Sequence, residues 1–323
     1  MGCCCSTVSS LDNQFESVET VGNSRARWMT NLDASFTTKP ITKLAIPGSH
    51  DCGAYFLDAS GPVCPDESGI IQAADCSTCT KQIIVRWSRT QGATIIQQLN
   101  AGVRYLDMRI GYRADVDDFF FVHALYGFKI SKMFEEIQTF LNDNPKEVII
   151  LDFQQFHTFT AETHQKFIVM IETYFPNMLY PCNGATEVNM SLNDFWQNQK
   201  QIFARYAAGS VTDQNPQFWS NKFINTPWYN TADIDVLLTR LDEFFDLYVS
   251  GSLNIHQALL SPQTCTIVCK SCSSLEKDLA IPGNSHIRQW IKYKKQENKE
   301  VNVFICDFMV QSAIIPEVLK FNE

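Results

Sequence analysis

Beyond residue 28 the chain alternates between two kinds of apolar pattern. Short runs rich in β-branched and aromatic residues predict strands over Lys43–Ile46, Val103–Ile110, Phe119–Val122, Val148–Phe153, Gln201–Ala204, Ser252–Ala258 and Val301–Cys306. Between them, apolar positions recurring every three or four residues predict helices over Ala93–Ala101, Lys132–Asn142, Glu162–Tyr174, Asp233–Tyr248 and Ser285–Lys295. Strands that alternate with helices pair in parallel, so the pattern predicts an α/β fold whose sheet is either closed as a barrel or left open. Residues 1–28 show little of this periodicity and are rich in Ser, Asn and Glu, as in a flexible tail. One domain over residues 29–323 is therefore expected.

Composition agrees with a single large core. The 323 residues are 45% hydrophobic and 19% charged, a size and balance common for one α/β barrel. The most apolar late stretch, Phe304–Pro316, is interrupted by Asp307, Gln311 and Ser312, so no transmembrane helix is expected. No secretory-type apolar segment opens the chain, which places the 12 cysteines in a reducing, cytosolic setting. A net charge of −9 argues against nucleic acid, which binds clustered Lys and Arg.

The first residues point to a membrane instead. Met1-Gly2-Cys3-Cys4-Cys5-Ser6 fits an acylation signal, with Gly2 as the myristate acceptor and Cys3, Cys4 and Cys5 as palmitate acceptors. Myristate alone binds membranes marginally, on the order of 10⁴ M⁻¹, so a second chain is needed for stable attachment. Arg25 and Arg27 are the basic residues of the first 38, set against Asp12, Glu16, Glu19 and Asp33, and they form no polybasic patch. The expected location is the cytosolic leaflet of a membrane, held peripherally by acyl chains.

Chemistry is expected where apolar runs end, because the loops after parallel strands converge on one face of a barrel. Six runs end in ionisable residues: His50 and Asp51, Asp107 and Arg109, His123, Asp152, Arg205, and Asp307. Two histidines, two arginines and several carboxylates can together support proton transfer at a phosphate ester. One histidine accepts a proton from an attacking hydroxyl, another gives one to the leaving oxygen, and arginine neutralises phosphate oxygens. A carboxylate on the base histidine would fix its tautomer.

These segments resemble a known family. Leu44-Ala45-Ile46-Pro47-Gly48-Ser49-His50-Asp51, Gly102-Val103-Arg104-Tyr105-Leu106-Asp107-Met108-Arg109, Phe121-Val122-His123 and Glu147-Val148-Ile149-Ile150 look like the phosphatidylinositol-specific phospholipase C X-domain family. The nearest likeness is to its small members without accessory domains. Arg86-Trp87-Ser88-Arg89-Thr90-Gln91, Pro227-Trp228-Tyr229-Asn230-Thr231, Ser274-Leu275-Glu276-Lys277 and Cys306-Asp307-Phe308 extend it to the C-terminus.

The resemblance implies a distorted TIM-type barrel that cleaves phosphatidylinositol to diacylglycerol and inositol 1,2-cyclic phosphate. His50 would be the general base on the 2-hydroxyl and His123 the general acid. Arg109, assisted by Asp51, would bind phosphate, and Asp307 would orient His50. Asp107, Asp152 and Arg205 would line the headgroup pocket. Arg109 stands where the calcium-dependent branch carries a carboxylate ligand, so no metal is expected, with Ca²⁺ as the alternative. Because no Lys/Arg cluster adjoins the strand ends, the unphosphorylated lipid is the expected substrate. Two other readings accompany the resemblance: a tethered inositol-lipid binding or signalling protein with little turnover, and a phospholipase for glycosylphosphatidylinositol anchors.

Other conspicuous residues are expected to be structural. His157, His164, His256 and His286 match no catalytic position, and Cys76-x₂-Cys79 and Cys265-x₃-Cys269-x₂-Cys272 lack a histidine to complete a zinc site. In Pro282-Gly283-Asn284-Ser285-His286, Asn284 or Ser285 is expected to cap a helix.

Overall fold

The computed structural model describes residues 25–67 and 69–323. Seven strands form one continuous parallel ladder: β6 (Ile202–Tyr206), β5 (Ile149–His157), β2 (Tyr105–Arg113), β1 (Ile46–Ser49), β9 (Val303–Cys306), β8 (Leu253–Gln257) and β7 (Ile224–Asn225). The ladder curls until β6 and β7 nearly meet. An isolated parallel bridge between Arg205 and Trp219 spans that seam. Trp219 stacks on Phe203 and packs edge-on against Phe223, which fills the gap with rings. The result is a distorted TIM-type barrel.

Period-two alternation sorts the strand side chains into two apolar layers. Ile46, Tyr105, Ile150, Phe203, Leu253, Ile255, Val303 and Ile305 pack together inside the barrel. Leu106, Met108, Ile110, Leu151, Phe153, Phe304 and Cys306 face the helices outside. Among those helices are Ile95–Ala101, Ile130–Asp143, Ala161–Tyr174, Ile234–Glu243 and Ile281–Gln296. The first starts at a Thr94/Gln97 capping box and stops at Gly102, whose φ of 115° is open to glycine at little cost.

Four expectations are corrected. Not every strand is parallel: β3 (Asp118–His123) and β4 (Leu125–Lys129) form an antiparallel hairpin on the outer half of β2. A one-residue connection at Ala124 is too short for the crossover that parallel strands require. The first strand begins at Ile46, not Lys43, because Ile41–Lys43 forms a 3₁₀ turn and the strand continues through Pro47 and Gly48. Gly48 makes this possible, since a Cβ there would lie 2.7 Å from Ile305 Cγ2 and 2.9 Å from Tyr105 Cβ. Asn284 and Ser285 cap nothing, for the helix is already running from Ile281 after a π-helical turn, Glu276–Ala280.

Residues 25–28, assigned above to the tail, belong to the folded body. Ala26, Trp28 and Met29 are buried. Trp28 Nε1 donates to the Gly102 carbonyl at 3.0 Å, Arg104 Nη2 donates to Ala26 O at 2.7 Å, and Thr30 N donates to Glu147 Oε1 at 2.8 Å. Arg104 and Glu147 form a 2.7 Å ion pair with no solvent exposure on either side chain. The acylation residues Gly2, Cys3, Cys4 and Cys5 lie outside the described residues. No helix among the described residues is long and apolar enough to cross a membrane.

Candidate active site

Of the eight residues expected at strand ends, Asp107, Arg109, Asp152 and Arg205 lie within strands on the inward face, and the other four stand at or just past strand ends. On β2, Tyr105, Asp107 and Arg109 share one face, and the strand continues four residues beyond Arg109. Register places Asp107 beside Asp152 of β5, and Asp152 beside Arg205 of β6. A layer of charged side chains thus sits directly above the apolar filling of the barrel. Arg205 Nη1 and the Tyr105 hydroxyl both donate to Asp152, which is fully buried. His50 and Asp51 follow β1, Asp307 follows β9, and His123 closes β3.

Asp51 is the hub of this layer. Its Oδ1 is ion-paired with Arg109 Nε. Its Oδ2 lies 3.3 Å from His50 Nε2 and 3.4 Å from His123 Nε2. His50 Nδ1 meets Asp307 Oδ1 at 2.7 Å, while His123 Nδ1 donates to the Ser88 carbonyl at 2.7 Å. These bonds put the neutral-state proton of each imidazole on Nδ1 and turn both Nε2 atoms toward the same carboxylate. Asp51 has φ of 41°, an uncommon backbone state for a non-glycine residue, and its N–H donates to Asp107 Oδ2 at 3.2 Å.

Residues 75–202 match the family described as phosphatidylinositol-specific phospholipase C, X domain. PI-PLC X domain-containing protein 3 of Mus musculus is 32% identical over 302 residues, covering 92% of this chain and 93% of that protein. The chain belongs to the PI-PLC X-domain family. The human PI-PLC X domain-containing protein 2 is 34% identical over 268 residues, 82% of this chain and 85% of that protein. Among solved structures, the phosphatidylinositol-specific phospholipase C of Listeria monocytogenes superposes with a TM-score of 0.67 at 18% identity, covering 93% of this chain and 99% of that one. That likeness establishes the barrel.

In this X-domain protein the site straddles the stretch matched by the family description. Asp107, Arg109, His123 and Asp152 fall inside residues 75–202, whereas His50, Asp51, Arg205 and Asp307 fall outside. The barrel topology, not proximity in sequence, brings the two sets together.

Electrostatics separate the two histidines. Burial pushes the His50 pKa down, but the carboxylates of Asp51 and Asp307 outweigh it and raise the value to about 9. Burial also lowers His123, and there the Arg109 and His50 charges add to it, leaving the ring below its usual value. Burial raises Asp51, yet the Arg109 guanidinium and the two imidazoles bring it below the ordinary carboxylate range. Asp107, buried and next to the Asp51 charge, is pushed up to about 7.

The structural readings of the remaining residues divide. His164 Nδ1 bonds the Tyr206 hydroxyl at 2.8 Å, and His256 is fully buried among rings, where burial lowers its pKa to about 3. His286 is exposed. His157 is different: it ends β5 with Nδ1 3.9 Å from Asp66, and it contributes to the field at Asp51. Cys265, Cys269 and Cys272 are exposed free thiols. Among the described residues the group able to converge on a cation is His50, Asp51 and Asp107.

Residues without an assigned role from sequence complete the site. Asn284 donates to the Asp307 carbonyl at 2.7 Å from inside its helix. Thr90 and Gln91 bond the backbone at His50. The Arg86–Gln91 motif was conspicuous in the sequence, but nothing in its residue types discloses which carbonyls it reaches.

Proposed function

We propose that this chain is a metal-independent phosphatidylinositol-specific phospholipase C. The supporting observation is that His50 and His123 turn Nε2 toward one oxygen of Asp51, beside the Arg109 guanidinium. A phosphodiester placed over Asp51 and Arg109 would have a base and an acid within reach of one phosphorus.

In this reading the neutral Nε2 of His50 takes the proton of the inositol 2-hydroxyl, whose oxygen attacks phosphorus. Asp307 stabilises the imidazolium that forms. The bond from phosphorus to the diacylglycerol oxygen breaks, and protonated His123 gives its Nε2 proton to that oxygen. The products are inositol 1,2-cyclic phosphate and diacylglycerol. Arg109 stabilises the charge gathering on the phosphate oxygens. Asp107, Asp152 and Arg205 form the floor on which the inositol ring rests. Arg109 and Arg205 are each already engaged by a carboxylate, which favours a ring without further phosphates.

The ligand atoms of His50, Asp51 and Asp107 lie within 4.8 Å of one another, the spacing of a cation site. Both Asp51 oxygens nonetheless face cationic or imidazole nitrogens. A divalent ion would meet the fixed guanidinium, so the donor set does not suit Ca²⁺ and Arg109 takes its electrostatic place.

Cleavage of phosphatidylinositol in mixed micelles, followed as cyclic inositol phosphate release, tests the reading. The parent releases product, and His50→Ala and His123→Ala each lose at least about 10²-fold. Equal rates in all three would sink it. The acyl chains at Gly2 and Cys3–Cys5 are proposed to deliver the barrel to its lipid. Gly2→Ala should move the protein from the membrane pellet to the supernatant, and an unchanged distribution argues against the anchor.

A further inference from the structure

The exit of the helix Thr78–Ser88 touches both histidine arms of the site. Ser88 offers its carbonyl to His123 Nδ1 at 2.7 Å. Two residues on, the Thr90 hydroxyl reaches His50 O at 3.3 Å and Asp51 O at 3.0 Å. The fully buried Gln91 side chain then donates to His50 O at 2.8 Å and to Cys306 O at 3.1 Å, and accepts from Met309 N at 3.3 Å. Phe308 N closes the set by donating to Thr90 O at 2.7 Å.

These bonds join chain segments that are otherwise far apart in sequence. His50 O belongs to the turn after β1, and Cys306 O and Met309 N flank Asp307 after β9. Both turns hold a residue in the left-handed region, Asp51 at φ 41° and Phe308 at φ 49°. Such backbone states persist only where their surroundings over-determine them. One amide satisfies a carbonyl on each turn and an N–H on the second, using both donors and its acceptor.

We infer that Ser88-Arg89-Thr90-Gln91 is a positioning strap, in which Gln91 and Thr90 set the contact between His50 and Asp307 and Ser88 sets the tautomer of His123. The inference rests on the catalytic reading for its consequence to turnover, but not for its effect on His50. Ser88 acts through its carbonyl, so side-chain variants address the Thr90 and Gln91 end. The groups facing His50 are Asp51 and Asp307 on the adjoining turns, Asp107 and Arg109 from β2, and His123 from β3. Loosening the strap changes the distance to Asp307, whose carboxylate alone bonds Nδ1. The raised proton affinity of His50 is the resulting observable.

The test is an NMR titration of ¹⁵N-histidine-labelled protein, run beside the micelle assay. In the parent, His50 titrates at about 9. In Gln91→Met, which keeps most of the bulk and adds no charge but lacks the two donors, and in Thr90→Val, the His50 midpoint moves down by at least half a pH unit. Their kcat falls roughly 10-fold to 100-fold with KM little changed, on the scale of losses from misplaced catalytic groups. Thr90→Ser, which restores the hydroxyl, recovers most of both. If His50 keeps its parent midpoint in Gln91→Met and Thr90→Val while circular dichroism shows both folded, the strap is refuted. A parent that does not cleave phosphatidylinositol overturns the enzyme reading instead, and leaves the titration result standing.

Discussion

His50 and Asp307 approach to 2.7 Å although 257 positions separate them in the chain, because β1 and β9 are neighbours in the parallel ladder. The contact fixes which imidazole nitrogen is free. Asp307→Asn keeps the size but removes the charge and can present an amide N–H to Nδ1, favouring the wrong tautomer. The expected loss in kcat is about 10²–10⁴-fold with the fold intact, measured by product release and thermal melting.

The pH dependence of kcat/KM should be bell-shaped with unusual limbs. The proposed mechanism needs neutral His50 and protonated His123, yet His50 holds its proton up to about 9 and His123 loses its proton below the usual histidine value. The reactive protonation state is therefore a minor one at every pH. The rate rises with pH through the His123 value, stays level, and falls through about 9. Replacing Asp307 with Asn removes a charge that raises His50, so the descending limb moves to lower pH. A limb that stays at about 9 in that variant would assign it to another group.

The proposed metal independence turns on Arg109. EGTA should leave the parent rate unchanged. Arg109→Lys keeps a charge but loses the planar fork and should cost about 10-fold to 100-fold. Arg109→Asp places a carboxylate beside His50, Asp51 and Asp107, and any activity that survives should depend on added calcium. Loss of parent activity on chelation, restored by calcium, would refute the assignment of the cation to Arg109.

The ion pair of Arg104 and Glu147 is a matter of stability. Glu147→Gln leaves the fully buried guanidinium without a counter-charge and weakens the bonds to Met29 and Thr30. Breaking such a pair costs about 3–5 kcal/mol. At roughly 2–3 °C per kcal/mol for a large domain, the melting temperature should drop by about 6–15 °C. Cleavage per folded molecule should be retained, since the pair lies at the far end of β2 from the histidines.

Much of the site is visible in the sequence because inward positions at the upper end of a barrel have no apolar role to fill. Asp107, Asp152 and Arg205 break their runs conspicuously for that reason. The strand boundaries were less legible. Pro47 and Gly48 read as punctuation, whereas Gly48 is what lets Tyr105 and Ile305 close over β1. The hairpin β3–β4 was half seen, since the Phe119–Val122 run resembles any buried strand and its direction depends on the turn at Ala124. Gln91 and Asn284 were illegible as positioning residues. Their partners are carbonyls of distant turns, and no pattern of side-chain types encodes a carbonyl.

Trp28 and Ala26 dock where β2 and β5 begin, at Gly102, Arg104 and Glu147, whereas both histidines stand at the opposite end of the barrel. Along β2, Arg104 to Arg109 alone spans about 17 Å. Any attachment made through the residues before Arg25 therefore pulls on the rear of the barrel. Fully extended, that stretch reaches at most about 80 Å, enough to pass the mouth. A leash joined at the rim would aim the mouth at the bilayer; one joined at the base holds the barrel near lipid without aiming it. Under the proposed anchoring, proximity and orientation are separate variables, and turnover on a membrane would depend on how often the barrel rolls over to face it.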